Sequence, residues 1–108
     1  MAGTTAHSPG FLALVNKARA QVREIPAAAL AAELVALSSA ALIDVREESE
    51  FAAGHVQRAE HLGKGVIERD IETRHPDRDQ PLYLYCGGGF RSALAALNLQ
   101  QMGYTRVT

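Results

Sequence analysis

A chain of 108 residues accommodates one domain and not two ordinary ones. Hydrophobic residues at 47% and charged residues at 21% suit a protein that buries a core, which excludes wholesale disorder. Eleven Lys and Arg against twelve Asp and Glu leave a formal charge of -1, and Trp is absent, so neither a basic nucleic-acid surface nor a base-stacking platform is expected. The default partner is a small molecule or another protein.

Residues Met1–His7 are small and polar and are expected to fray. Met1 to Pro9 carries no Lys or Arg and leads into no long apolar run, so it does not read as a secretory signal. Ser8-Pro9 has the form of a helix start, and Phe11, Leu12, Leu14, Val15 and Ala18 follow at helical spacing, which predicts a helix over 9–21. Val22–Ile25 reads as a short strand. Pro26 opens a second helix through Leu37, rich in Ala, with Leu30, Leu34 and Leu37 on one face. The stretch Ala27–Leu37 is interrupted by Glu33 and is too short to span a bilayer.

Ala41-Leu42-Ile43-Asp44-Val45-Arg46 is a short apolar run ending in charge, read as a buried strand that delivers Asp44 and Arg46 to an edge of the sheet. A short helix over 47–53 stops at Gly54, a suitable C-terminal cap. A strand over 59–62 and a helix over 65–74 follow, the helix closed by His75-Pro76 and the polar loop 77–81. Leu82-Tyr83-Leu84-Tyr85-Cys86 reads as a strand, with both tyrosines taken as strand packing. Three glycines lead to a helix over 92–102 that ends at Gly103, and Tyr104–Thr108 begins a last strand. Alternation of strands and helices predicts an α/β fold, an open and mostly parallel sheet with helices on both faces. Ligands of such sheets bind beyond the carboxyl ends of the strands, where Asp44, Arg46 and Cys86 would lie.

Cys86 is the single cysteine, so no internal disulfide forms and a reducing, cytoplasmic setting follows most simply. After it the backbone must reverse within a few residues before the helix begins. Consecutive glycines allow positive φ and close backbone approach, and such a curl can aim successive amide N–H groups inward as an anion-binding nest. Those donors, the helix dipole and the Arg91 guanidinium would favour a thiolate, and equally a persulfide anion. That is how a cysteine becomes a nucleophile without a neighbouring base. The plain alternative is a buried structural thiol beside a tight turn. The run Gly87-Gly88-Gly89-Phe90-Arg91 moves the reading toward function.

Other glycine-rich loops fit less well. No Gly-Lys-Ser/Thr is present for a nucleotide P-loop. Gly87, Gly89 and Ser92 nearly meet a dinucleotide pattern, but the acidic residue about 20 positions later has no place before Thr108. Cysteine phosphatases put five residues between cysteine and arginine. Here there are four, and position 92 is Ser.

Leu42-Ile43-Asp44-Val45-Arg46-Glu47, Glu50-Phe51 and Gly54-His55-Val56 resemble the early motif of rhodanese-homology domains. Cys86-Gly87-Gly88-Gly89-Phe90-Arg91-Ser92 resembles their active-site loop, and Gly103-Tyr104 the turn after the loop's helix. The resemblance covers residues 41–108, extends less clearly over 22–40, and does not include the first helix. It divides the chain into an N-terminal extension over 1–21 and a rhodanese-like domain over 22–108. It implies a sulfurtransferase in which Cys86 takes a sulfane sulfur from a donor such as thiosulfate and passes the persulfide sulfur to cyanide, a thiol or a protein. Amides of Gly87, Gly88, Gly89, Phe90 and Arg91 would cradle the sulfur, and Arg91 would bind the donor's anionic end. Asp44 is implied as a support of the loop, with Ser92 beside it. Arg46 either adds to the positive field or pairs with Asp or Glu. No cofactor or metal is expected, and no nucleic-acid or membrane partner.

Family members usually continue past the last strand with a Gly-Gly segment and a Trp-containing helix. The sequence reaches Thr108 without them, so it is expected to be a fragment or to have that face covered by a partner or by the N-terminal helix. His7, His55, His61 and His75 make no metal-ligand spacing with Cys86, and His55 is expected to be structural. Glu47, Glu48 and Glu50 read as a solvated helix start. Two other functions stay open: a non-catalytic binding or regulatory module, and a small-loop phosphatase or arsenate reductase.

Overall fold

The computed structural model describes residues 7–108. The expected fraying of the first six residues lies outside the described residues. In chain order the elements are α1 (Pro9–Arg19), α2 (Ala27–Ala36), β1 (Ala41–Asp44), α3 (Glu48–Ala53), β2 (Glu60–His61), α4 (Ile67–Arg74), β3 (Leu82–Tyr85) and α5 (Phe90–Gln101). The three strands form one parallel sheet in the order β2-β1-β3. The fold is α/β, as the alternation of elements predicts.

The period of two along the strands decides which helix covers which face. Ile43 of β1 and Leu82 and Leu84 of β3 meet Ile67 and Ile71 of α4 and Ala95, Ala96 and Leu99 of α5. Leu42 and Tyr83 point the other way and are covered by Leu30, Leu34 and Leu37. Helices therefore lie on both faces. Fully burying one Ile or Leu contributes about 1.5–3 kcal/mol, so these two clusters supply most of the drive to fold. A third cluster sets Val15 and Ala18 of α1 against Ala93 and Leu94 on the outer side of α5. The alanines of α5 leave room for both neighbours.

Two expected strands do not form. Residues 22–25 are irregular, with Arg23 paired to Glu33 and Thr108 rather than to a backbone ladder. Residues 104–108 make a single parallel bridge, Leu82 to Val107, instead of a strand. Residues 106–108 still exchange backbone hydrogen bonds with Leu82 and Leu84 of β3, whereas 22–25 join no ladder. Helix α5 begins at Phe90, two residues before the expected start, because Gly89 (φ +83) can serve as its cap in the left-handed region.

Register places the site. Asp44 pairs with Tyr85 and the Val45 N–H donates to the Tyr85 carbonyl at 3.0 Å, so β1 and β3 end together. The turns after them, carrying Arg46 and Cys86, leave from the same edge of the sheet.

Candidate active site

The Cys86 sulfur sits inside the turn between β3 and α5. The Gly89 N–H donates to Sγ at 3.1 Å and the Ser92 N–H at 3.4 Å. Ser92 Oγ lies 3.6 Å from Sγ. Partial burial pushes the thiol up, but hydrogen bonds from the Ser92 backbone and hydroxyl and from the Gly89 and Gly88 amides outweigh it and hold the Cys86 pKa below the ordinary thiol value. The sulfur thus sits among donors that favour its ionised form, and it borders a cleft of about 340 Å³, walled on one side by Ile25, Leu30 and Tyr83.

The loop residues divide in a way that spacing did not reveal. Ser92, expected one step removed, touches the sulfur with both its amide and its hydroxyl. Phe90 turns away. Its ring folds over Gly88, where a methyl group would meet it at 3.0 Å, and packs toward Phe11 and His7 of the N-terminal segment. Neither Phe90 nor Gly87 donates an amide to sulfur; the donors are Gly89 and Ser92, with Gly88 lending support.

Arg91 reaches back toward the sulfur side of the loop, with Nη2 3.7 Å from where a methyl on Gly87 would lie. Its guanidinium is bound by Glu50, Nη1 to Oε1 at 2.7 Å and Nη2 to Oε2 at 3.3 Å. Glu50 is thus not only part of a solvated helix start. Its carboxylate also accepts from the Glu47 N–H, closing a capping box at the start of α3, and the Arg91 bond is the larger cause that lowers its pKa to about 2. The sequence signal for the cap was present, Glu47-x-x-Glu50. Nothing local announced Arg91 as the partner.

Asp44 and Arg46 are brought together with each other and not against the loop. The Asp44 side chain is fully buried and accepts from Arg46 Nη2 at 2.8 Å, from Nε to both oxygens at 3.0 Å, and from the Arg46 N–H at 2.9 Å. Burial opposes ionisation, yet the Arg46 bonds keep Asp44 below the usual carboxylate range. Arg46 also donates to the Gly54 carbonyl at 2.7 Å. Of the two roles open for Arg46, pairing is the one realised. The pair braces the turn after β1 and the end of α3, which carries Glu50 to Arg91.

The histidines have neighbours of other kinds. His55 stacks on Phe51 with centroids 3.6 Å apart, His61 Nε2 meets the Arg46 carbonyl at 2.7 Å, and His75 meets Glu60 and Gln80. No helix among the described residues is long and apolar enough to cross a membrane.

A family model, the rhodanese-like domain, matches residues 27–108, which takes in both strand ends and the whole cysteine loop. The chain belongs to the rhodanese-like domain family. The putative sulfurtransferase YtwF of Bacillus subtilis is 34% identical over 87 residues, covering 81% of this chain and 82% of that protein. The thiosulfate sulfurtransferase PspE of Escherichia coli is 35% identical over 65 residues, 60% of this chain and 62% of its own. Among solved rhodanese-fold neighbours, a Rhodopseudomonas palustris protein of unknown function, described as a possible tyrosine phosphatase, superposes with a TM-score of 0.78 at 27% identity, over 94% of this chain and 83% of that one. Proteins named as sulfurtransferases are thus among the relatives of this chain.

Proposed function

We propose that the protein transfers a sulfane sulfur from a small anionic donor such as thiosulfate to a thiophilic acceptor through a persulfide on Cys86. The single observation that carries this reading is the convergence of the Gly89 N–H and the Ser92 N–H on one sulfur atom, with the Ser92 hydroxyl beside it at 3.6 Å. Donors so arranged stabilise a thiolate before reaction and a persulfide anion after it.

In the first step the Cys86 thiolate attacks the outer sulfur of thiosulfate. A Cys86 S–S bond forms, the bond between sulfane sulfur and the sulfonyl group breaks, and sulfite leaves with the electron pair. In the second step a nucleophile, cyanide in an assay or a thiol or protein thiol in the cell, attacks the terminal sulfur and returns Cys86 as thiolate. The amides near Gly88 and Gly89 and Ser92 hold the sulfur. Arg91, oriented by Glu50, meets the donor's anionic end. Gly87 and Phe90 shape the loop, and Asp44 with Arg46 keeps the supporting turn in place. A reducing cytoplasmic setting suits a chain whose one cysteine has no disulfide partner.

The test is thiocyanate formation from thiosulfate and cyanide by the wild type and by Cys86→Ala, with mass spectrometry of the donor-treated protein. One added sulfur on Cys86 and activity lost in the variant are expected. An unmodified thiol under thiosulfate, polysulfide and thiosulfonate donors would overturn sulfur transfer. Turnover of a phosphotyrosine mimic would then favour phosphatase chemistry, despite a loop with only four residues between Cys86 and Arg91.

A further inference from the structure

A helix outside the matched family span places a cation against the backbone of the cysteine loop. Arg19, the last residue of α1, donates from Nη2 to the Gly88 carbonyl at 3.2 Å. That carbonyl belongs to the same peptide group as the Gly89 N–H, which donates to Cys86 Sγ at 3.1 Å. In a planar trans peptide the C=O and the N–H point in opposite directions. A guanidinium therefore sits at the oxygen end of a peptide dipole whose hydrogen end faces the sulfur. A cation there polarises the group and strengthens its N–H as a donor, and the ionised thiol gains most from a stronger donor.

The surroundings hold Arg19 in that position. Its guanidinium lies over the Phe90 ring at 5.0 Å, which explains why Phe90 faces α1 and not the cleft. Glu24 Oε2 lies 3.4 Å from Arg19 Nε without completing a hydrogen bond to it. Val15 and Ala18, one to four residues earlier on α1, are buried against α5 and fix the helix end. The loop has adapted in turn: a methyl group on Gly89 would come within 2.9 Å of Arg19 Nη2. Arg91, the other arginine at the loop, is held by Glu50.

We propose that Arg19 is a positioning residue that orients and polarises the Gly88–Gly89 peptide and thereby favours the Cys86 thiolate. The inference rests on the reading that Cys86 reacts as a thiolate, and it is independent of which sulfur donor is used. It gives α1 a part in the chemistry rather than only in covering α5.

The experiment is the pH profile of iodoacetamide alkylation of the full chain, which needs no sulfur donor and so reads this inference even if thiosulfate proves inert. For Arg19→Gln the rate near pH 6.5 is expected to fall about three- to tenfold, with the limiting rate at high pH unchanged. Arg19→Lys, which keeps the charge, is expected to recover part of the loss. A profile for Arg19→Gln that superimposes on the wild type would overturn the proposal, and so would equal slowing in both variants, since that is what lost packing alone produces. Should Arg19→Gln fail to fold, Glu24→Gln carries the test: removing the anion beside Arg19 is expected to speed alkylation near pH 6.5, and an unchanged rate would overturn the proposal.

Discussion

Glu50 on α3 and Arg91 on α5 bind each other at two points, 2.7 and 3.3 Å, across 41 residues of sequence. This pair joins the early motif to the cysteine loop and turns Arg91 from a free cation into an oriented one. Under the proposed function, a donor anion would meet a guanidinium whose plane is already set, which lowers the cost of ordering it on binding.

The pair makes stability depend on pH in a defined window. Glu50 has a folded pKa of about 2 against an ordinary 4.5, so its contribution is fully present above 4.5 and is lost as pH falls toward 2. Thermal melts should show the wild type more stable than Glu50→Gln near neutrality, with the gap closing as the pH falls through about 4 to about 2.5. A gap that stays constant would mean the pair does not titrate in that window.

Cys86 should alkylate readily at about pH 6–7, below the unperturbed thiol value of about 8.5. Ser92→Ala removes the hydroxyl and keeps the amide, so the same measurement should show slower alkylation near pH 6.5, by less than about tenfold. A rate that rises only above about pH 8 in the wild type would show that the loop does not stabilise the anion.

Gly89→Ala combines two penalties at one position. The backbone there has φ +83, and the new methyl would lie 2.9 Å from Arg19 Nη2. The left-handed conformation alone costs about 1–2 kcal/mol for a residue with a side chain. Lower thermal stability together with slower Cys86 alkylation is expected, because the strained peptide is the one that donates to sulfur. Normal alkylation in a destabilised variant would separate the turn from the chemistry.

Asp44→Ala should cost about 3 kcal/mol, because it leaves Arg46 without the carboxylate that accepts its hydrogen bonds in a buried setting. For a domain of this size that is a drop of roughly 12–20 °C in the thermal midpoint. Chemical denaturation gives the same quantity independently. A loss below about 1 kcal/mol would show that water replaces the carboxylate.

Much of the site could be read from residue order because its parts are local. A strand ending at Cys86, three glycines and a helix must form a tight turn, and a tight turn of that kind aims amides inward. Which amides reach the sulfur was not local. It depends on the helix starting at Phe90, which brings Ser92 onto Sγ and swings the Phe90 ring away. Arg46 had two open fates, and the choice followed from Asp44 being buried with Arg46 as its ion-pair partner among the described residues.

The sequence by itself determined the α/β alternation, the apolar strands β1 and β3, and the glycine turn that follows Cys86, because strand periodicity and glycine conformational freedom act over a few residues. Only the tertiary structure decided that Glu50 holds Arg91, that residues 22–25 and 104–108 do not become strands, and that Arg19 lies against the loop. Those outcomes depend on the β1–β3 register and on how α1 docks against α5. Long-range geometry of that kind is set by the packing of whole faces, and no short window of sequence contains it.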